Sequence, residues 1–155
     1  MKQCMRMSWL ALAALACASL LWPATTLAVQ KEKDKVYEVG GGDGLKIESK
    51  LTADDTKDKV RMNSYAKVYL VKLQENKTYT IRLNSPNQMA LDPYLRVEDA
   101  ESKQLAFNDD DPDEMGKTLN SKLEFKAPKT GTYRIIATTF AMNQTGDFTL
   151  LIKAN

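Results

Sequence analysis

Residues 91–112 read LDPYLRVEDAESKQLAFNDDDP, residues 120–140 read NSKLEFKAPKTGTYRIIATTF, and residues 145–152 read TGDFTLLI. In each piece apolar residues recur at every second position. Leu95 and Val97, Leu105 and Phe107, Leu123 and Phe125, then Tyr133, Ile135 and Ala137, and finally Phe148, Leu150 and Ile152 form such sets. A period of two places one set on one face of a strand, where a sheet can bury it. Turn chemistry separates the runs: Asp99-Ala100-Glu101-Ser102, Pro128-Lys129-Thr130-Gly131 and Asn143-Gln144-Thr145-Gly146. Short strands at this spacing predict an all-β protein, an antiparallel β-sandwich of jelly-roll-like form.

The pattern extends upstream. Leu45, Ile47, Ser49 and Leu51 alternate with Lys46, Glu48 and Lys50. Tyr69, Val71 and Leu73 are followed, after Glu75-Asn76-Lys77, by Tyr79, Ile81 and Leu83, which reads as a hairpin with Asn76 in a left-handed turn position. Gly40-Gly41-Gly42-Asp43-Gly44 reads as a flexible turn, since neither a P-loop nor a dinucleotide-binding spacing follows it. No segment shows a sustained helical period, although residues 53–62 have room for a turn or two.

The first 28 residues look like an export signal. Lys2 and Arg6 make a positive start, residues 8–22 are apolar but short for a membrane span, and Thr26-Leu27-Ala28 supplies small residues for cleavage. Cleavage is expected after Ala28, ahead of Cys17-based lipoprotein processing, because Cys17 is followed by more apolar residues. Residues 29–35 then form a charged tail, and residues 36–155 a single domain with no membrane span. The expected location is secreted or periplasmic.

Composition excludes several function classes. The chain has no histidine, and its only cysteines, Cys4 and Cys17, lie in the leader. Ser-His-Asp triads, Cys-His pairs and histidine or thiolate metal sites are therefore impossible in the exported part. A Ser-Lys dyad lacks a lysine beside any serine in a strained turn. Paired carboxylates of glycosidase type lack a tryptophan for sugar stacking, since Trp9 and Trp22 are also in the leader. The leader takes two basic residues and none of the 20 acidic ones, so the remainder is charge-balanced and unsuited to nucleic acid. A non-enzyme is expected.

The run YLVKLQENKTYTIRL (residues 69–83), followed by LDPYLRVED, LAFNDDD, NSKLEFKAP, GTYRIIATTF and TGDFTLLI in that order, resembles the bacterial pre-peptidase C-terminal (PPC) domain over about residues 45–152. The resemblance implies a β-sandwich that usually follows a secreted peptidase, and an exported non-catalytic binding module engaging an extracellular or envelope polymer or protein. The alternative is a structural or interaction partner of a separately encoded secreted peptidase.

One loop concentrates Asn108, Asp109, Asp110, Asp111 and Asp113, and Asp92 leads the strand before it. Alternating oxygen donors are what a hard cation preferring six to eight ligands requires. The spacing departs from an EF-hand, with Glu114 where glycine is needed and Asn120 where a bidentate glutamate is needed. Calcium held by Asp92, Asn108, Asp109, Asp110, Asp111 and Asp113 is what the resemblance implies. The other reading is an Asx-rich surface turn bonded to its own backbone and to water. Among the tyrosines, Tyr69, Tyr79 and Tyr133 are in phase with core positions, while Tyr65 and Tyr94 are not assigned to core or surface by phase.

Overall fold

The structure, a computed structural model, describes residues 35–155; the expected export signal, and the expected charged tail apart from Lys35, lie outside the described residues. Those residues form nine strands and no helix: β1 (Val36–Glu38), β2 (Leu45–Leu51), β3 (Lys67–Leu73), β4 (Thr78–Asn84), β5 (Pro93–Glu98), β6 (Gln104–Asn108), β7 (Ser121–Lys126), β8 (Gly131–Thr139) and β9 (Gly146–Ala154). A five-stranded sheet in the order β1-β3-β8-β5-β6 stacks on a four-stranded sheet in the order β2-β9-β4-β7. Every pairing is antiparallel except the short parallel contact of β1 with β3. The expected sandwich is what forms.

Alternation decides the core. Val71, Leu73, Leu95, Val97, Ile135 and Tyr133 of the larger sheet meet Ile81, Leu83, Phe148, Leu150, Ile152 and Tyr79 of the smaller one, and all are buried. Each such side chain removed from water stabilises the fold by about 1.5–3 kcal/mol before entropy is counted. Phe125 and Tyr133 meet edge to face across the gap, ring centroids 5.5 Å apart. The three tyrosines in phase with the pattern, Tyr69, Tyr79 and Tyr133, are all buried in this core.

Two expectations are corrected. The segments either side of Asn76 are not a hairpin: β3 pairs with β8, and β4 pairs with β7 and β9, in the other sheet. Asn76 does take the left-handed conformation (φ 63°), but its turn carries the chain across the sandwich. Alternation within each strand cannot tell these cases apart, because both strands present an apolar face to the same core. The second correction concerns β6. Phe107 lies opposite Arg96, and Ala106 opposite Val97, so Ala106 packs on the core while Leu105 and Phe107 face out and are exposed.

The outer face of the five-stranded sheet is half covered by the β2–β3 connection, residues 52–66. It is fastened by charge: Asp58 grips the Arg96 guanidinium through both oxygens, one of them 3.1 Å from Nε. Arg96 Nη1 also donates to Glu98 at 2.8 Å and to Gln104 at 3.0 Å, and Arg134 Nε reaches the other Glu98 oxygen at 3.0 Å. Arg96 is 1 % exposed. A guanidinium so deeply buried is tolerable only because its donors are taken up by acceptors.

Candidate functional site at the loop end of the sandwich

Strand direction sends the connections to opposite ends. At one end the links are short: residues 39–44, 74–77, 99–103 and 127–130. At the other, three of four are longer: residues 52–66, 85–92 and 109–120, with residues 140–145 the fourth. Contacts among these four place them together. Phe140 N donates to Asp92 O at 2.9 Å, Asp92 N to Gln144 Oε1 at 2.9 Å, Asn143 N to Asn63 O at 2.9 Å, and Leu119 N to Gln88 Oε1 at 2.8 Å.

This end holds the acidic residues, and the structure divides them. Asp111 is buried, its carboxylate bonded to the Arg82 guanidinium of β4 and, at 3.0 Å, to the amide of Asp113. Asp113 takes Lys122 of β7 at 2.6 Å, and the hydrogen bond from that ammonium holds its carboxyl below the usual range. Asn108 donates its side-chain amide to the carbonyls of Asp110 (2.6 Å) and Lys122 (2.7 Å), pinning the start of the loop to β7. These three residues close the loop onto the smaller sheet.

Asp92, Asp109 and Asp110 form the other half. Burial raises the Asp92 carboxyl above its ordinary value first of all. The negative charges of Asp110 and then Asp109 raise it further, against a smaller opposing pull from Arg61. Three carboxylates thus share a corner with one guanidinium. Of the six residues expected to surround calcium, Asp111 and Asp113 are engaged by basic side chains, and Asp92, Asp109 and Asp110 are brought near one another. Among the described residues, no group of three or more acidic side chains is drawn together tightly enough to form a finished metal cage.

Sequence reasoning missed the aromatic wall beside that corner. Tyr94 on β5 and Phe107 on β6 stack nearly parallel, at 12° and 6.1 Å, and Phe140 lies at 6.5 Å from Tyr94 on the other side. The Arg61 guanidinium sits 4.6 Å from the ring centroids of both Tyr94 and Phe140 and donates to the Phe140 carbonyl. Cations favour such ring faces, by about 0.5–2 kcal/mol depending on desolvation. Arg61 is aimed there by the buried bridge: its own amide donates to Asp58 Oδ2 at 2.9 Å, the oxygen that also receives Arg96 Nε. Burial raises the Tyr94 hydroxyl, so the ring stays neutral.

Methionines complete the end. Met62, Met89, Met115 and Met142, one in each of these four connections, are 73, 98, 70 and 66 % exposed. Methionine ordinarily fills cores, so its uniform exposure here is unusual. Val60, Leu119 and Phe140 are exposed in the same loops, and Phe107 at the adjoining end of β6. A signal was available: none of these methionines falls on an alternating apolar set.

No family model matches the chain, and no curated protein is similar to it in sequence. Several solved structures are similar to it in fold, and two of them illustrate the likeness. The pre-peptidase C-terminal domain of the collagenase from Bacillus anthracis is 14% identical, with a TM-score of 0.54 over 76% of this chain and 92% of that one. CorA, a surface-associated copper-binding protein important in copper acquisition by Methylomicrobium album BG8, is 11% identical, with a TM-score of 0.50 over 78% of this chain and 98% of that one. The expected PPC fold is therefore shown, at the level of architecture.

Proposed function

We propose that the protein is an exported, non-catalytic binding module of PPC type that engages an extracellular or envelope polymer or protein through the loop end of its sandwich. The observation that carries this reading is the concentration of exposed methionines on the four loop-end connections, with exposed Phe140 among them and exposed Phe107 at the adjoining end of β6. Clustered apolar surface of this kind ordinarily marks an interaction site. The likeness to a collagenase module and to a surface-associated protein supports export and binding in general terms. Copper is not carried across from CorA, which at 11% identity shares the fold alone.

The test is a pull-down of residues 29–155 on insoluble extracellular polymers and on candidate envelope proteins. It is repeated with Phe107→Ser and Phe140→Ser, and with Lys103→Ser at the opposite end. Retention lost only in the loop-end variants supports the reading. Retention unaffected by them, or absent for every bait, removes it.

A second reading is favoured by the corner of Asp92, Asp109 and Asp110: calcium, as the family resemblance implies, binds there and stabilises this end. A ligand that binds only the native state raises its thermal midpoint by mass action. A midpoint raised by millimolar calcium in the wild type, and not in Asp109→Ala with Asp110→Ala, supports the calcium reading. Superimposed melting curves with calcium and with chelator contradict it.

A further inference from the structure

The corner built by β5, β6 and the 140–145 connection combines two properties. Leu95 pairs with Asn108 where β5 begins and β6 ends, which sets Asp109 and Asp110 alongside Asp92, itself tied to Phe140 by a 2.9 Å main-chain bond, and this acidic group faces the Arg61 guanidinium. Immediately beside them the rings of Phe107 and Phe140 are exposed, with buried Tyr94 stacked between them, and in the same 140–145 connection the exposed Met142 sulfur lies 3.6 Å from the Asn63 amide nitrogen. Arg61 demonstrates the binding mode within the molecule: a guanidinium laid on two rings with acidic neighbours.

We propose that this corner docks a basic and apolar segment of a partner protein, whose Lys or Arg neutralises Asp92, Asp109 and Asp110 while its apolar neighbours lie on Phe107, Phe140 and Met142. The proposal rests on the reading of the protein as a loop-end binding module and names the chemistry of its partner.

Charge complementarity argues for this occupant. A neutral apolar segment leaves the excess carboxylate charge in place and desolvates it, which is costly. An acidic one adds repulsion. A cation beside the rings satisfies both features, and its attraction acts mainly on encounter and specificity. Unbranched methionine, with its polarizable sulfur, adapts to differing apolar neighbours, so the surface selects for charge more strictly than for shape. The rest of the acidic loop adds little, since Asp111 and Asp113 already have their cations.

The proposal is tested with two fluorescent peptides of equal length, one alternating Arg with Leu and the other alternating Gln with Leu, against residues 29–155. The Arg peptide is expected to bind saturably and to weaken as salt rises. Its affinity falls at least about tenfold in Asp109→Asn with Asp110→Asn, and by a similar factor in Phe107→Ser, with no change in Asp43→Asn at the turn end. Equal affinity for the Gln peptide, or unchanged affinity in the double Asn variant, overturns the basic partner. If Phe107→Ser still abolishes binding of the Gln peptide or of a polymer, the module reading survives that failure. If no loop-end substitution affects any ligand, both fall. Calcium bound at the corner with no Arg-peptide binding to the metal-free protein also overturns the proposal.

Discussion

The two ends of the sandwich are held together by different means. At the turn end the short links are held by backbone conformation and by uncharged contacts or carboxylates that accept from main-chain amides, Thr130 from Glu75 and Asp99 from Glu101 and Lys103. Asn76 and Ser102 take positive φ, and Gly44 (φ +76°) passes so close to β9 that a Cβ there would lie 2.3 Å from the Ile152 carbonyl oxygen. At the loop end basic side chains add to the main-chain bonds: Asp58 on Arg96, Arg82 on Asp111, Lys122 on Asp113, Arg61 on Phe140 O. Short links tolerate little variation because each residue's dihedrals are fixed by the turn. Long links must be fastened by side chains, and whatever the fastening leaves over is free for function. That remainder is Asp92, Asp109, Asp110 and the exposed rings and thioethers.

The largest effect separating the ends is expected at Arg96. Arg96→Ala strands the buried Asp58 carboxylate, leaves Glu98 with Arg134 alone and unfastens the 52–66 connection, and it should cost about 3–5 kcal/mol by denaturant melting. Equal stability of wild type and variant would mean that charge does not hold this end. At the turn end, Gly44→Val forces a β-branched residue into a left-handed conformation against β9, and should cost about 1–3 kcal/mol. Asp111→Asn removes the nearer charge facing Arg82 and should cost about 1–2 kcal/mol, because the guanidinium is left with a neutral acceptor and the more distant Asp113 carboxylate at 3.7 Å.

Asp92→Asn should have the smallest effect and the opposite sign, a gain within about 1 kcal/mol at neutral pH. Its linkage follows from the raised carboxyl. The folded state holds this proton more tightly than the unfolded state, so Asp92 favours folding at acid pH, and that share is lost as pH rises through its elevated pKa. Asp113 runs the other way: its lowered carboxyl favours folding above the ordinary carboxylate value, and the benefit is lost as pH falls through the depressed one. Melting against pH should therefore lose the Asp92 slope in Asp92→Asn and keep it in Asp113→Asn.

Strand existence was legible because burial on one face imposes a period of two on the residues themselves. The left-handed role of Asn76 was legible too, since few side chains tolerate that conformation. Strand partnership was not. The β3–β4 link looks like a hairpin whether it stays in one sheet or crosses to the other, because the local pattern is identical. Phe107 misled for a related reason: an aromatic residue in an alternating run marks a face as apolar without saying whether anything covers it. For the acidic loop, residue types were readable but their counter-charges were not. Arg82 comes from β4, 29 residues from Asp111, and Lys122 from β7, nine residues beyond Asp113; the register of β4 on β7 sets the two opposite one another beside the loop.

The most direct test of the claim that one end of the sandwich is built for binding is amide chemical-shift mapping of residues 29–155 during titration with the Arg-Leu peptide. Perturbations should gather at residues 60–63, 92–94, 107–110 and 140–143 and leave residues 40–44, 74–77, 99–103 and 127–130 unmoved. Shifts centred on the short turns, or spread evenly over both ends, would contradict it.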